Sequence, residues 1–187
     1  MLSPLSNLYL ALQNTIAALA DTGGNPYFRY IDQDLGQFDN PRPDNRPPVL
    51  YPCALIDIEE MHYANVADNC QQGKGSITIR LGFPPFSAGS SATPETYKEK
   101  ALYYYELEQI LHLALQGAHP VLLDTTGKNI LANIFGAYNR TSATTQRRKD
   151  ALRVRELTYQ IAYDDYSTQP TTQILPAALD LTTEFPS

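Results

Sequence analysis

The chain contains 187 residues, of which 43% are hydrophobic, and its formal net charge is -6. This length and apolar content suit one domain with a single packed core, whereas the negative charge argues against nonspecific nucleic-acid binding, which needs clustered Lys and Arg. No apolar run approaches the roughly 20 residues that span a bilayer, and residues 1–5 carry no positive charge, so we expect neither a membrane contact nor a signal peptide.

The first predicted element is an amphipathic helix. Ser3 suits its N-cap and Pro4 its first position, and a Gly-Gly pair at 23–24 follows its end. Apolar residues with helical spacing lie between them: Leu5, Leu8, Tyr9, Leu12, Ile16 and Leu19. The connection that follows could form a short strand over residues 27–31, and its proline-rich segment, residues 32–48, is predicted to be a surface loop.

A β-hairpin is predicted next. Residues 53–63 have the composition of a strand, and residues 75–83 alternate between apolar and polar side chains, as a half-buried strand does. We expect the two strands to pair antiparallel, with the turn near Asp68. Cys53 and Cys70 would then lie too far apart for disulfide geometry, so two free thiols are predicted, as suits a reducing cytoplasm.

A second, long helix is predicted to run from Thr93, its N-cap, to about Gln116. Its apolar arc is wider than one sheet face would cover. Leu102 and Leu113 lie on the side opposite the main arc, and Tyr103 widens the arc. Because a helix that is apolar on more than one side usually meets a second partner, these three residues are candidates for a subunit interface.

The last third of the chain contains a basic stretch and one strongly alternating strand. Residues 140–150 are predicted to form a loop whose cations are Arg140, Arg147, Arg148 and Lys149. These side chains are either solvated, or contact an acidic neighbour or DNA in a channel. Residues 152–164 alternate as a strand does, and residues 166–187 have the composition of an extended C-terminal tail.

These elements predict an α+β fold. A small, mainly antiparallel sheet would have the N-terminal helix and the long central helix packed on it, followed by the extended C-terminal tail. We expect a single domain over residues 1–165 and the tail over residues 166–187.

No motif in the sequence predicts catalysis, a cofactor or a metal site. The spacing of Asp32, Asp34 and Asp39 resembles a calcium loop, but a glycine and a proline stand where ligands belong. The two Gly-Lys pairs lack the other residues of a phosphate-binding loop, the three histidines share no ligand spacing, and the carboxylates within residues 57–60 suit an exposed strand face. We therefore expect a protein that is not an enzyme.

The order of these elements resembles the tail terminator and tail-completion proteins of long-tailed phages, neck proteins that include minor tail proteins of the U type. Four segments carry the likeness: residues 51–57 (YPCALID), residues 77–81 (ITIRL), the helix over residues 97–115, and residues 153–159 (RVRELTY). The resemblance implies a ring, usually of six subunits, that caps the tail tube and joins it to the head. It implies no catalytic residue and no cofactor.

The resemblance also implies partners and a location. The partners would be further copies of the chain, the tail tube protein and a head-completion or connector protein, with DNA passing through the lumen without sequence-specific binding. The protein would lie in the neck or tail of the virion, and in the host cytoplasm during assembly. Three alternatives stay open: a head-completion or connector subunit, an adaptor domain unrelated to phages and, least favoured, a small hydrolase.

Overall fold

The computed structural model describes residues 3–39, 48–67, 70–84, 92, 94–148 and 152–165. Within these ranges the elements follow in the order α1 (Pro4–Ala17), β1 (Tyr30–Gln33), β2 (Cys53–Ala67), β3 (Cys70–Phe83), α2 (Glu95–Leu115), β4 (Asn139–Gln146) and β5 (Arg153–Asp165). All five strands belong to one sheet with the spatial order β1-β2-β3-β5-β4. β1 is parallel to β2, and the other neighbours are antiparallel. Neither helix has both the length and the apolar character needed to cross a membrane.

The helix α1 forms where the sequence predicts it. The Ser3 hydroxyl accepts a hydrogen bond from the backbone N–H of Ser6 at 3.2 Å, and Pro4 begins the helix, which is the arrangement of a side-chain N-cap followed by proline. Leu8, Leu12 and Ile16 are fully buried, so the predicted apolar stripe faces the core. Burying each of these side chains stabilises the fold by roughly 1.5–3 kcal/mol.

The predicted hairpin is confirmed, and both of its strands are longer than predicted. β2 and β3 pair over almost their whole length, and the last pair joins Ala67 to Cys70. The predicted turn residue Asp68 lies outside the described residues. The alternation of β3 is confirmed as well, because Ile77 and Ile79 are fully buried.

Gly75 marks a close approach between the two strands of the hairpin. It pairs with Met61 beside an irregularity in β2, where a Cβ atom on Gly75 would lie 2.3 Å from the carbonyl oxygen of Glu60. We expect Gly75→Ala to lower the free energy of unfolding by about 1–3 kcal/mol, because the backbone must shift to relieve this overlap. Gly136→Ala is the matched control, since its Cβ would meet only ordinary contacts from 3.4 Å outward. Equal thermal stability of the two variants would contradict this expectation.

The prediction of a basic loop over residues 140–150 is wrong for most of its length. Residues Asn139–Gln146 form β4, which pairs with β5 at the edge of the sheet. The segment is rich in threonine, which favours strands, but it has no apolar alternation because nearly all of its side chains are exposed. The predicted strand over residues 152–164 is confirmed as β5, with Leu157 and Tyr159 fully buried.

The predicted architecture, a small and mainly antiparallel sheet with a long central helix packed on it, is wrong. The sheet is mixed and dominates the described chain, with 42% of the residues in strands and 24% in helices. The long hairpin and the additional strand β4 enlarge it. α2 does not lie on the sheet along its whole length: its buried side chains lie between Ala101 and Leu115, whereas Tyr97 in its first turn is exposed. The predicted C-terminal tail, residues 166–187, lies outside the described residues.

Apolar side chains cover the two faces of the sheet to different extents. The main core lies between the sheet and the helices, and it contains Ile16 of α1, Ile79 of β3 and Leu111 of α2. The opposite face has a smaller apolar cluster, in which Phe38 packs with Cys53, Leu55 and Val154. The rest of that face is polar, because side chains alternate along each strand, and we call it the polar face.

Candidate functional site: surfaces for assembly

The outer face of α2 exposes apolar side chains that the sequence singles out. Leu102 is 49% exposed and Leu113 is 72% exposed, and their spacing places them on one face of the helix. Tyr103 is 46% exposed and lies about 100° around the helix from Leu102. Burial raises the pKa of its hydroxyl, and the charges of Tyr27 and Asp21 raise it further. Tyr103 therefore lies beside the face of the two leucines and not on it.

An ion-pair cluster connects α2 to β4 and β5. Arg155 donates two hydrogen bonds to the Glu108 carboxylate, from Nε at 2.6 Å and from Nη2 at 2.9 Å, and these bonds raise the pKa of Arg155. Arg140 lies 3.7 Å from the same carboxylate. Beside them, the guanidinium of Arg153 lies 3.6 Å above the ring of Tyr104. Arg140, a predicted partner contact, is therefore paired within its own subunit.

A second ion-pair cluster holds residues 34–39 against the polar face. Arg80 of β3 donates to Asp34 at 2.9 Å and to Asp39 at 3.2 Å. Arg148 donates to the other carboxylate oxygen of Asp39 at 2.8 Å and to the carbonyl oxygen of Phe38. The hydrogen bond from Arg148 is the main cause of the lowered pKa of Asp39. Asp34 and Asp39, which resemble calcium ligands in the sequence, thus pair with arginines.

The four basic residues singled out in the sequence have different surroundings in the structure. Arg140 and Arg148 form ion pairs within the subunit. Arg147 is exposed and has no ion pair among the described residues. Lys149 lies outside the described residues. Sequence reasoning missed the acidic partners because they are distant along the chain, and no local pattern brings them together.

The histidines and cysteines are dispersed over the molecule. His62 lies 3.5 Å from Glu60 at the surface, whereas His119 contacts the carbonyl oxygen of Phe135. Cys53 and Cys70 are buried free thiols, as predicted, and burial raises the pKa of Cys53 to about 12. In the described part of the chain, no three His, Cys, Asp or Glu side chains cluster so as to hold a metal ion.

Comparisons with known proteins identify a likeness of fold. No protein-family model and no curated protein matches this sequence. Among solved structures, the chain matches a chain in the virion of the native gene transfer agent (GTA) particle, with a TM-score of 0.51 and 12% sequence identity. The match covers 88% of this chain and 100% of that chain. At this identity, the likeness shows that the two chains share a fold.

Proposed function

We infer that this chain is a structural protein of a phage-like virion, and that it forms a ring at the head–tail neck that terminates the tail tube and joins it to the head. One observation carries the proposal: the chain shares its fold with the full length of a chain from a gene transfer agent virion. The resemblance to tail terminators adds the neck position and a ring of six subunits. The role is structural and not enzymatic, without a cofactor.

Exposed apolar side chains support an assembly role. Leu102 and Leu113 lie on one face of α2 and are both at least 49% exposed. Apolar side chains that share an exposed face suit contact with a neighbouring protein. We propose this face as a subunit contact, with Tyr103 at its margin. Arg147 is available for an acidic neck partner or for the passing genome.

A deletion of the gene tests the proposed function in the host that produces the particle. Loss of a tail terminator should give free heads and free tails, and purified wild-type protein should restore joining when it is added to the defective tails. Restoration only when the protein is added to the defective heads would favour a head-completion or connector subunit. Normal joined particles after deletion would refute a neck role.

The α2 face can be tested with Leu113→Asp. Because Leu113 is 72% exposed, we expect the free energy of unfolding to stay within about 0.5 kcal/mol of the wild-type value, while ring formation seen by electron microscopy decreases at least tenfold. Leu123→Asp is the matched control, since Leu123 is 59% exposed and lies outside α2. Unchanged assembly of the Leu113 variant would remove this face from the interface.

A further inference from the structure

The two edges of the sheet differ in how well they are protected against pairing. β4 pairs only with β5, so its other edge has no strand beside it in the described part of the chain. β1 covers only the first residues of β2, Cys53–Ile56, and β2 continues to Ala67 without a described neighbour on that side. An unpaired edge presents backbone N–H and C=O groups that can pair with another chain.

The free edge of β2 is acidic, whereas that of β4 is uncharged along its middle. Asp57, Glu59 and Glu60 are exposed near the start of the free part of β2, and the pairing is irregular between Ile58 and Met61. Such charges and irregularities discourage pairing with an arbitrary strand. β4 has neither a charge nor a proline from Thr141 to Gln146, and it has an arginine at or next to each end. The two edges are therefore complementary in charge.

The ends of β4 also disfavour pairing of β4 with itself. In an antiparallel pair of two β4 strands, Arg140 of one copy would approach Arg147 of the other, and like charges placed opposite each other destabilise a strand pair. Pairing of β4 with the β2 edge instead brings Arg147 to Asp57 and Glu59. In the described residues Asp57 and Glu59 have no ion pair. Burial raises the pKa of Asp57, and the charge of Glu59 raises it further.

We propose that the free edge of β4 pairs with the free edge of β2 in the next copy of this chain. The inference rests on the ring of the proposed function and adds a second subunit contact beside the proposed contact on α2. Because β4 runs antiparallel to β2 within the sheet, a rotation that carries one subunit to the next leaves the two strands antiparallel. The contact joins different surfaces on the two copies, and such a head-to-tail contact repeats until the ring closes.

The strand registers give the position of the neighbouring subunit. Within one subunit, β4 is level with residues 53–58 of β2. If Arg147 meets Asp57 of the next copy, the neighbour is displaced along the strands by roughly 17 Å, at about 3.4 Å per residue. Because β2 has one extra residue between Ile58 and Met61, the same antiparallel register places Ser142 beside His62 or Tyr63 of the next copy, and all three positions are exposed.

A charge exchange tests the contact in the full-length protein. Arg147→Glu and Asp57→Arg should each weaken self-association at least tenfold in sedimentation velocity, because each places like charges opposite each other at the contact. The double variant should recover to within about threefold of the wild-type affinity. Lys128→Glu, at an exposed position outside α2, β2 and β4, is the control for net charge and should change association little. Three results would each overturn the proposal. The double variant could fail to recover its self-association, the control could lose as much affinity as the single variants, or the wild-type chain could remain monomeric at every concentration.

Cysteine cross-linking provides an independent measurement. Ser142→Cys combined with His62→Cys or with Tyr63→Cys should give covalent oligomers under mild oxidation. The native thiols should not interfere, because Cys53 and Cys70 are buried. Covalent dimers from Ser142→Cys alone would show pairing between two β4 strands and overturn the proposal. If the exchange fails while purified protein still joins heads to defective tails, only the edge contact is refuted. If the deletion strain makes normal particles, the neck function is refuted whatever the self-association.

Discussion

Replacement of Glu108 by alanine is expected to lower the free energy of unfolding by about 3–5 kcal/mol. The carboxylate accepts both hydrogen bonds from Arg155 and lies near Arg140, and its side chain is only 11% exposed. Without it, the buried guanidinium of Arg155 keeps only the hydrogen bond to Thr145 at 2.7 Å among its described side-chain partners. A buried charge that loses its partner costs more than the intact pair contributes. Denaturant unfolding followed by circular dichroism measures the loss.

Two further variants show whether the loss of stability comes from the unpaired buried charge or from a change of residue within the helix. Glu106→Ala changes an exposed glutamate on the same helix and should alter stability by no more than about 0.5 kcal/mol. Glu108→Leu combined with Arg155→Met replaces the pair by apolar side chains and should recover most of the lost stability. A loss below about 1 kcal/mol in Glu108→Ala would show that the pair is effectively solvated.

The sequence predicts those elements whose pattern is local. The N-cap and apolar spacing of α1 and the alternation of β3 and β5 are visible over a few residues, and the structure confirms all three elements. The strand β4 has no such pattern, since an exposed edge strand needs no apolar side. The sequence allows a short strand over residues 27–31, whereas β1 forms at Tyr30–Gln33, where it pairs with the start of β2. This contact depends on the path of the chain. The size and mixed character of the sheet therefore could not be predicted.

The candidate surfaces were predictable to the same extent: the sequence predicts features that are local along the chain, but not contacts between distant residues. Helical spacing alone predicts that Leu102 and Leu113 lie away from the main arc of α2, and both are exposed. The surroundings of the arginines depend on the order of strands in the sheet. That order places Arg140 beside Glu108, and the connection after β1 brings Asp39 to Arg148. The sequence identifies these cations as one basic stretch, whereas the structure leaves Arg147 as the one arginine of that stretch without an ion pair in the described residues.

Arg80 is expected to be the most important cation for the polar face. It contacts Asp34, Asp39 and Gln146, and its guanidinium lies 5.1 Å from the centre of the Phe38 ring. The side chains of Arg80 and Asp34 are only 12% and 8% exposed. We expect Arg80→Met, which keeps the apolar stem, to lower the free energy of unfolding by about 3–5 kcal/mol, because Asp34 would remain buried without its cation.

The pH dependence of this loss distinguishes a buried charge from lost packing. Arg148, and to a smaller extent Arg80, lower the pKa of Asp39. The stabilisation that Arg80 gives this carboxylate is therefore present at pH 7 and is lost toward about pH 3, as the pH falls through the lowered pKa. The difference in unfolding free energy between Arg80→Met and the wild type should therefore shrink as the pH falls. At pH 7, the double variant Arg80→Met with Asp34→Asn should recover part of the stability that Arg80→Met loses. Arg29→Met, at an exposed arginine beside β1, should be neutral at both pH values. A loss of unfolding free energy that is the same at pH 7 and at about pH 3 would mean that Arg80 acts through packing against Phe38 and not through its charge.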